Sequence, residues 1–120
     1  MSNYITNRNI FKLIPITIFA LFFHLNPVQA KDIQKDSVTV SGNCSMCQNR
    51  IVSAAAGKGV RSAQWDKNTK YLSVTYDADK TSMDEIEKRV AKAGHDTKNH
   101  KSDDATYEQL HSCCMYPRME

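Results

Sequence analysis

Between Ser37 and Gly94 the spacing of apolar residues switches from two to about 3.6, returns to two for a pair of segments, and becomes about 3.6 again. That order of periods restricts the fold more than any single motif does. Val38 and Val40 alternate in a short strand that ends at Gly42. Cys47, Ile51, Ala54 and Ala55 then fall on one helical face, with a stop in "GKG" at 57–59. Ala63 and Trp65 alternate before the turn-rich "DKNTK", and Leu72, Val74 and Tyr76 alternate after it, which predicts a hairpin. A second helix opens with the capping pattern Ser82 to Glu85, carries Met83, Ile86, Val90 and Ala93 on one face, and closes at Gly94.

The order strand, helix, strand, strand, helix predicts an α+β fold, a ferredoxin-like βαββαβ sandwich with two helices on one face of a four-stranded antiparallel sheet. Completing that sheet requires a last strand in "HDTKNHK", residues 95–101. The segment is almost wholly polar, so only a short edge strand held by main-chain bonds is expected. Residues 102–120 form an extension, with helical turns in "SDDATYEQL" leading into "HSCCMYP".

Residues 1–30 stand apart from this pattern. Arg8 and Lys12 precede the apolar run "LIPITIFALFF", which is short for a membrane span and has the length of a signal-peptide core. Val28 and Ala30 suit a small-residue cleavage site, so cleavage after Ala30, export to the periplasm or beyond, and no stable membrane insertion afterwards are expected. Residues 31–36, "KDIQKD", read as a flexible polar arm, and 37–101 as the folded domain. Only two of the 16 basic residues leave with the leader, so fourteen basic groups face thirteen acidic ones. So even a balance gives no electrostatic footprint for nucleic acid.

All four cysteines lie beyond the leader: Cys44 and Cys47 as CxxC, and Cys113 and Cys114 side by side. An oxidising compartment makes disulfides available, but neither spacing suits the stapling of distant segments. Cys44 sits where a strand gives way to a helix, and unpaired amides and the helix dipole favour a thiolate there. Thiolates are soft donors that select Cu(I), Hg(II), Zn(II) or Cd(II) over Mg(II) or Ca(II).

In this frame the CxxC loop resembles the heavy-metal-associated domain, the family of copper chaperones, the amino-terminal modules of metal-exporting ATPases and periplasmic mercury-binding proteins. The resemblance spans residues 37–101 and rests on Cys44 and Cys47, Ile51 and Ala54, Val60, "VTYDADKTS" and "AGH" at 93–95. It implies an exported metal carrier or scavenger that is not an enzyme, with Cys44 and Cys47 as ligands. The ion it implies is Cu(I), with Hg(II) and Zn(II) as alternatives. Transfer would proceed by ligand exchange to a membrane transporter or efflux component. It also places His95 in a loop beside the cysteines, as a third ligand or exchange gate; the alternative role is a surface histidine at the carboxyl end of the helix. The family's Gly-Met-x-Cys loop is here Gly42-Asn43-Cys44, without the methionine that packs beneath it.

His111, Cys113 and Cys114 add a second dense set of donors. Adjacent cysteines are poorly disposed to meet one small ion from a fixed backbone. The tail is therefore expected to fold back on the loop, to form a separate site, or to form a disulfide. Two other functions share the CxxC: a thiol–disulfide oxidoreductase, and a metal sensor switched by a tail disulfide. The oxidoreductase lacks support from a proline inside the motif or an aromatic just before Cys44.

Overall fold

The computed structural model describes residues 31–120, and the expected leader and its cleavage site lie outside the described residues. The strands are β1 (Ile33–Thr39), β2 (Val60–Trp65) and β3 (Tyr71–Asp77); the helices are α1 (Ser45–Ala55), α2 (Met83–Lys92) and α3 (Asp104–Glu108). A 3₁₀ turn, Ser112–Cys114, follows α3. Among the described residues no helix is long and apolar enough to cross a membrane.

The sheet has three strands in the order β1-β3-β2, both pairs antiparallel, with β3 at the centre. Alternation sorts its faces: Val38, Trp65, Leu72, Val74 and Tyr76 are buried, while Ser37, Gln64 and Ser73 are exposed on the other side. Cys47, Ile51 and Ala55 from α1 and Ile86 and Val90 from α2 close over the apolar face, so each large side chain there contributes about 1.5–3 kcal/mol of burial. The expected boundaries of both helices and of the hairpin hold to within a few residues. The Ser82 hydroxyl accepts from the Glu85 amide at the start of α2, and Gly94 adopts φ +107° just past its end.

Two expectations are corrected. Residues 33–36 are not a flexible arm: β1 begins at Ile33, and Ile33 to Asp36 pair with Asp77 to Val74. The side chains of Gln34, Lys35 and Asp36 are polar and exposed, but their main chain still fills the ladder. The fourth strand is reduced to a single bridge between Val40 and Thr97, flanked by bonds from the Ser41 amide to Asp96 O and from the Lys98 amide to Thr39 O. The polar groups of 95–101 bond elsewhere. Thr97 Oγ1 and the Asn99 side chain donate to the buried Glu87 carboxylate of α2, at 2.6 and 2.9 Å, and His100 meets Asp84 at 2.6 Å. Bonds to α2 turn the chain away from the sheet edge after one bridge.

The extension packs as part of the fold. Leu110 and Tyr116 are buried, and Leu110 lies where a side chain on Gly94 would stand, 2.8 Å from the position of a Cβ there. Tyr116 Oη donates to Gly94 O at 2.6 Å and accepts from the Asp96 amide at 2.8 Å. The Asp96 carboxylate, wholly buried, takes a two-pronged bond from Arg118, with Nε to Oδ2 at 2.7 Å and Nη2 to Oδ1 at 2.9 Å. Arg118 also donates to Ser102 O and stacks on the Tyr107 ring, 4.5 Å from its centre.

Removing one partner of a buried ion pair leaves the other charge uncompensated, which costs about 3–5 kcal/mol. Arg118→Ala is therefore expected to lower the unfolding free energy by that amount, read as a lower urea midpoint at an unchanged m-value; an unfolding free energy within about 0.5 kcal/mol of wild type would refute the assignment.

Candidate metal centre

The cysteine loop is fixed from three sides. Trp65 donates from Nε1 to Val40 O at 3.0 Å, and its ring lies so close to Gly42 that a Cβ there would meet it at 3.0 Å and Cys47 Cβ at 3.1 Å. A tryptophan ring thus packs beside the loop that carries no methionine before Cys44. Only glycine leaves room for it. The Lys70 ammonium donates to Gly42 O, reaching over from the left-handed position (φ +64°) that ends the hairpin turn. Asn43 Nδ2 donates to Met115 O at 3.1 Å, tying the loop to the tail.

Cys44 is the N-cap of α1, and no side-chain hydrogen bond caps that end. The first-turn amides and the helix dipole are therefore free to act on sulfur. Cys47, one turn on, is wholly buried beneath Cys44, with the two sulfurs 3.4 Å apart. Across the gap, the 3₁₀ turn brings Cys113 Sγ to 3.4 Å and Cys114 Sγ to 3.7 Å from Cys44 Sγ, and the two tail sulfurs stand 3.9 Å apart. The sulfurs of Cys44, Cys47 and Cys114 all lie within 4.8 Å of one another. All four cysteines are free thiols. The adjacent cysteines, expected to be poorly disposed to chelate one small ion, both stand within 3.7 Å of Cys44 Sγ in this turn.

The four thiols are not equivalent. The Cys47 backbone N–H is the largest influence on Cys44 and, with help from the Cys113, Cys47 and Cys114 thiols and against some desolvation, lowers its pKa from 9.0 to about 6. Contact with Cys44 and then desolvation raise Cys113. Burial, then the Cys47 and Cys44 sulfurs, push Cys114 well above the usual thiol range. At neutral pH the cluster therefore carries a thiolate at Cys44 backed by protonated tail thiols. A metal cation that replaces those protons meets soft donors already gathered.

The other candidates lie apart from this group. His95 is neither a surface cap nor a member of the compact thiol group. It is buried, its Nδ1 lies 2.8 Å from Ser41 O, and its ring stacks on Tyr116 with centres 5.4 Å apart. Because a carbonyl only accepts, Nδ1 carries the proton, and desolvation, the first cause of its lowered pKa, keeps the ring neutral. Its Nε2 is buried without a partner, as is Nε of Arg50, whose charge also depresses His95. Arg50 is thus partly buried rather than a solvated surface residue. His111 is exposed, with only its carbonyl engaged, by the Cys114 amide. Met46 and Met115, each beside a cysteine of the cluster, are exposed. Sequence reasoning could not find Asp96, Tyr116 and Arg118, which place the tail, because no local motif marks them.

No protein-family model matches the chain, and no curated protein matches it. Solved structures do. A CopZ metallochaperone is 26% identical, with 53% of this chain and 98% of that one covered and a TM-score of 0.51. Oxidized MerP from Ralstonia metallidurans CH34 is 29% identical over 55% of this chain and 94% of that one, with a TM-score of 0.52. The water-soluble region of the P-type ATPase CopA from Bacillus subtilis is 26% identical over 57% of this chain, with a TM-score of 0.53, and the match spans 46% of that chain. The chain resembles the heavy-metal-associated domains of copper chaperones and MerP.

If the helix end controls Cys44, its thiolate is present above a pH of about 6 and is lost as pH falls through that value. Iodoacetamide mapping of the reduced, metal-free chain should show Cys44 modified first with a midpoint about 6, and Cys114 last. A Cys44 midpoint near that of an unperturbed thiol, roughly 8.5, would contradict it.

Proposed function

We propose that the chain is an exported carrier or scavenger of a soft metal ion, held by Cys44 and Cys47 and passed to a membrane transporter or efflux component by ligand exchange. The observation that carries this reading is the pair of sulfurs 3.4 Å apart at an uncapped helix start, in a fold shared with a metallochaperone and MerP. Thiolates there select Cu(I), with Hg(II) and Zn(II) as the alternatives, over hard cations. The leader-like residues 1–30 support export, and the likeness to the soluble region of a P-type ATPase supports a transporter as the acceptor.

Ligand exchange explains why such a site need not catalyse anything. A partner thiolate adds to the bound ion while one ligand of this chain departs and takes up a proton. The ion keeps its oxidation state and is never free in solution. The near-neutral thiol pKa of Cys44 suits that cycle, since the ligand is deprotonated without strong base yet can be reprotonated on release.

Native mass spectrometry of the reduced chain titrated with Cu(I), Hg(II) and Zn(II) tests the reading. One ion per chain is expected in wild type, and none in Cys44→Ser/Cys47→Ser at the same free-metal concentration. Undiminished binding by that double variant, or no soft-metal binding by wild type, would remove the reading.

A further inference from the structure

The sulfurs of Cys113 and Cys114 belong to the extension, yet they stand 3.4 and 3.7 Å from Cys44 Sγ, beside 3.4 Å for Cys47. We propose that the extension supplies two ligands of the carried ion, Cys114 as an inner ligand and Cys113 as an exchangeable one. A single chain thus encloses the ion in three or four thiolates. This rests on the carrier reading above and names the coordination, and hence the class of ion, that the site takes.

Separation decides between geometries. With metal–sulfur bonds of about 2.3 Å, a linear two-thiolate site needs sulfurs about 4.6 Å apart, a trigonal one about 4.0 Å and a tetrahedral one about 3.8 Å. Of the six sulfur pairs Cys47–Cys113 is the longest, since Cys113 falls outside the set of Cys44, Cys47 and Cys114 that lie all within 4.8 Å of one another, and four of the other separations run from 3.4 to 3.9 Å. They lie at the edge of a tetrahedron and well short of a linear pair. Closing Cys44, Cys47 and Cys114 on an ion requires movements under about 1 Å, and Cys113 has further to swing toward Cys47 before it adds a fourth bond, where a linear site would have to prise Cys44 and Cys47 apart by over 1 Å by the same bond lengths.

The tail is held in place before any ion arrives. Tyr116, two residues beyond Cys114, is buried and bonded to Gly94 and Asp96; Arg118 is locked on Asp96; Tyr107 Oη donates to Tyr116 O at 2.6 Å; and Asn43 of the loop bonds Met115 O. Such preorganisation removes most of the ordering cost of recruiting two more ligands. Cys114 is wholly buried and Cys113 exposed, so the ligand an incoming thiolate can reach and displace is Cys113. On that exchange one metal–sulfur bond forms to the partner and one to Cys113 breaks, Cys113 takes up a proton, and three thiolates retain the ion. Ions that accept three or four thiolates, Zn(II), Cd(II) or trigonal Cu(I), fit this shell better than digonal Hg(II) does.

Anaerobic titration of the reduced chain with Co(II), as a spectroscopic stand-in for Zn(II), tests this, with free-thiol counting to establish that four thiols enter. Wild type should show the d–d bands of a tetrahedral ion. Its sulfur-to-cobalt charge-transfer intensity should fall to about three-quarters in Cys113→Ser and to about half in Cys113→Ser/Cys114→Ser, following the count of thiolates. Substitution at exposed Cys113 spares the core, so that variant keeps the test sound if the double variant folds poorly. In the Zn(II)-loaded wild type, Cys113 should be the first cysteine alkylated. Unchanged charge-transfer intensity in both tail variants, or Cys44 alkylated before Cys113 in the loaded chain, would overturn the tail ligands and leave the loop carrier standing. Retention of Co(II) by Cys44→Ser/Cys47→Ser would overturn the carrier reading itself.

Discussion

The buried carboxylate of Asp96 organises everything that distinguishes this chain. It accepts from Ser102 N at 2.8 Å and Met119 N at 3.3 Å as well as from Arg118, so one side chain closes the loop after α2 and anchors the last residues of the tail. A carboxylate can be buried only when its lone pairs are filled, and here two amides and a guanidinium fill them. The arrangement is costly to break on either side. With Tyr116 inserted between Gly94 and the Asp96 amide, the tail is held on a path that passes Cys44 at residues 113–114 and ends on Asp96.

The electrostatics of the cluster follow from this placement. An isolated pair of thiols at a helix start would share one thiolate between two sulfurs. Bringing two more thiols into a partly dry gap divides the group into one sulfur that is easily ionised and tail sulfurs that are hard to ionise. Stacking His95 on Tyr116 keeps a neutral ring, not a charged one, behind the loop. Cations rather than protons are therefore the natural way to satisfy the gathered sulfurs.

What could be read in the sequence was whatever a local period encodes. The two helices, the hairpin and the CxxC at a strand-to-helix loop are set by residues within a turn or two of one another, and Gly94 and Ser82 mark their ends as expected. What could not be read depended on partners far along the chain. Lys35 and Asp36 look like a polar arm because what joins them to the sheet is their main chain and a bond from Tyr76 Oη to the Asp36 carboxylate, and residues 95–101 look like a weak edge strand because their bonds to Glu87 and Asp84 are invisible to any period. The meeting of Cys44 with Cys113, 69 positions away, was one of several open readings of the tail, and His95 was placed beside the loop without a sign that its ring would be buried.

A carrier faces opposing demands, since a closed shell holds its ion while an open one gives it up. A two-thiolate loop meets the second demand by leaving the ion under-coordinated. Here the demands fall on different sulfurs: Cys47 and Cys114 are buried in the core cluster, Cys44 is tuned by the helix, and Cys113 alone stands in solvent at the rim. Retention then scales with the buried ligands, and the rate of release with access to one exposed ligand. Adjacent cysteines, poorly suited to chelation on an extended backbone, suit this division, because a 3₁₀ turn can bury one side chain and expose its neighbour while both sulfurs face the same point.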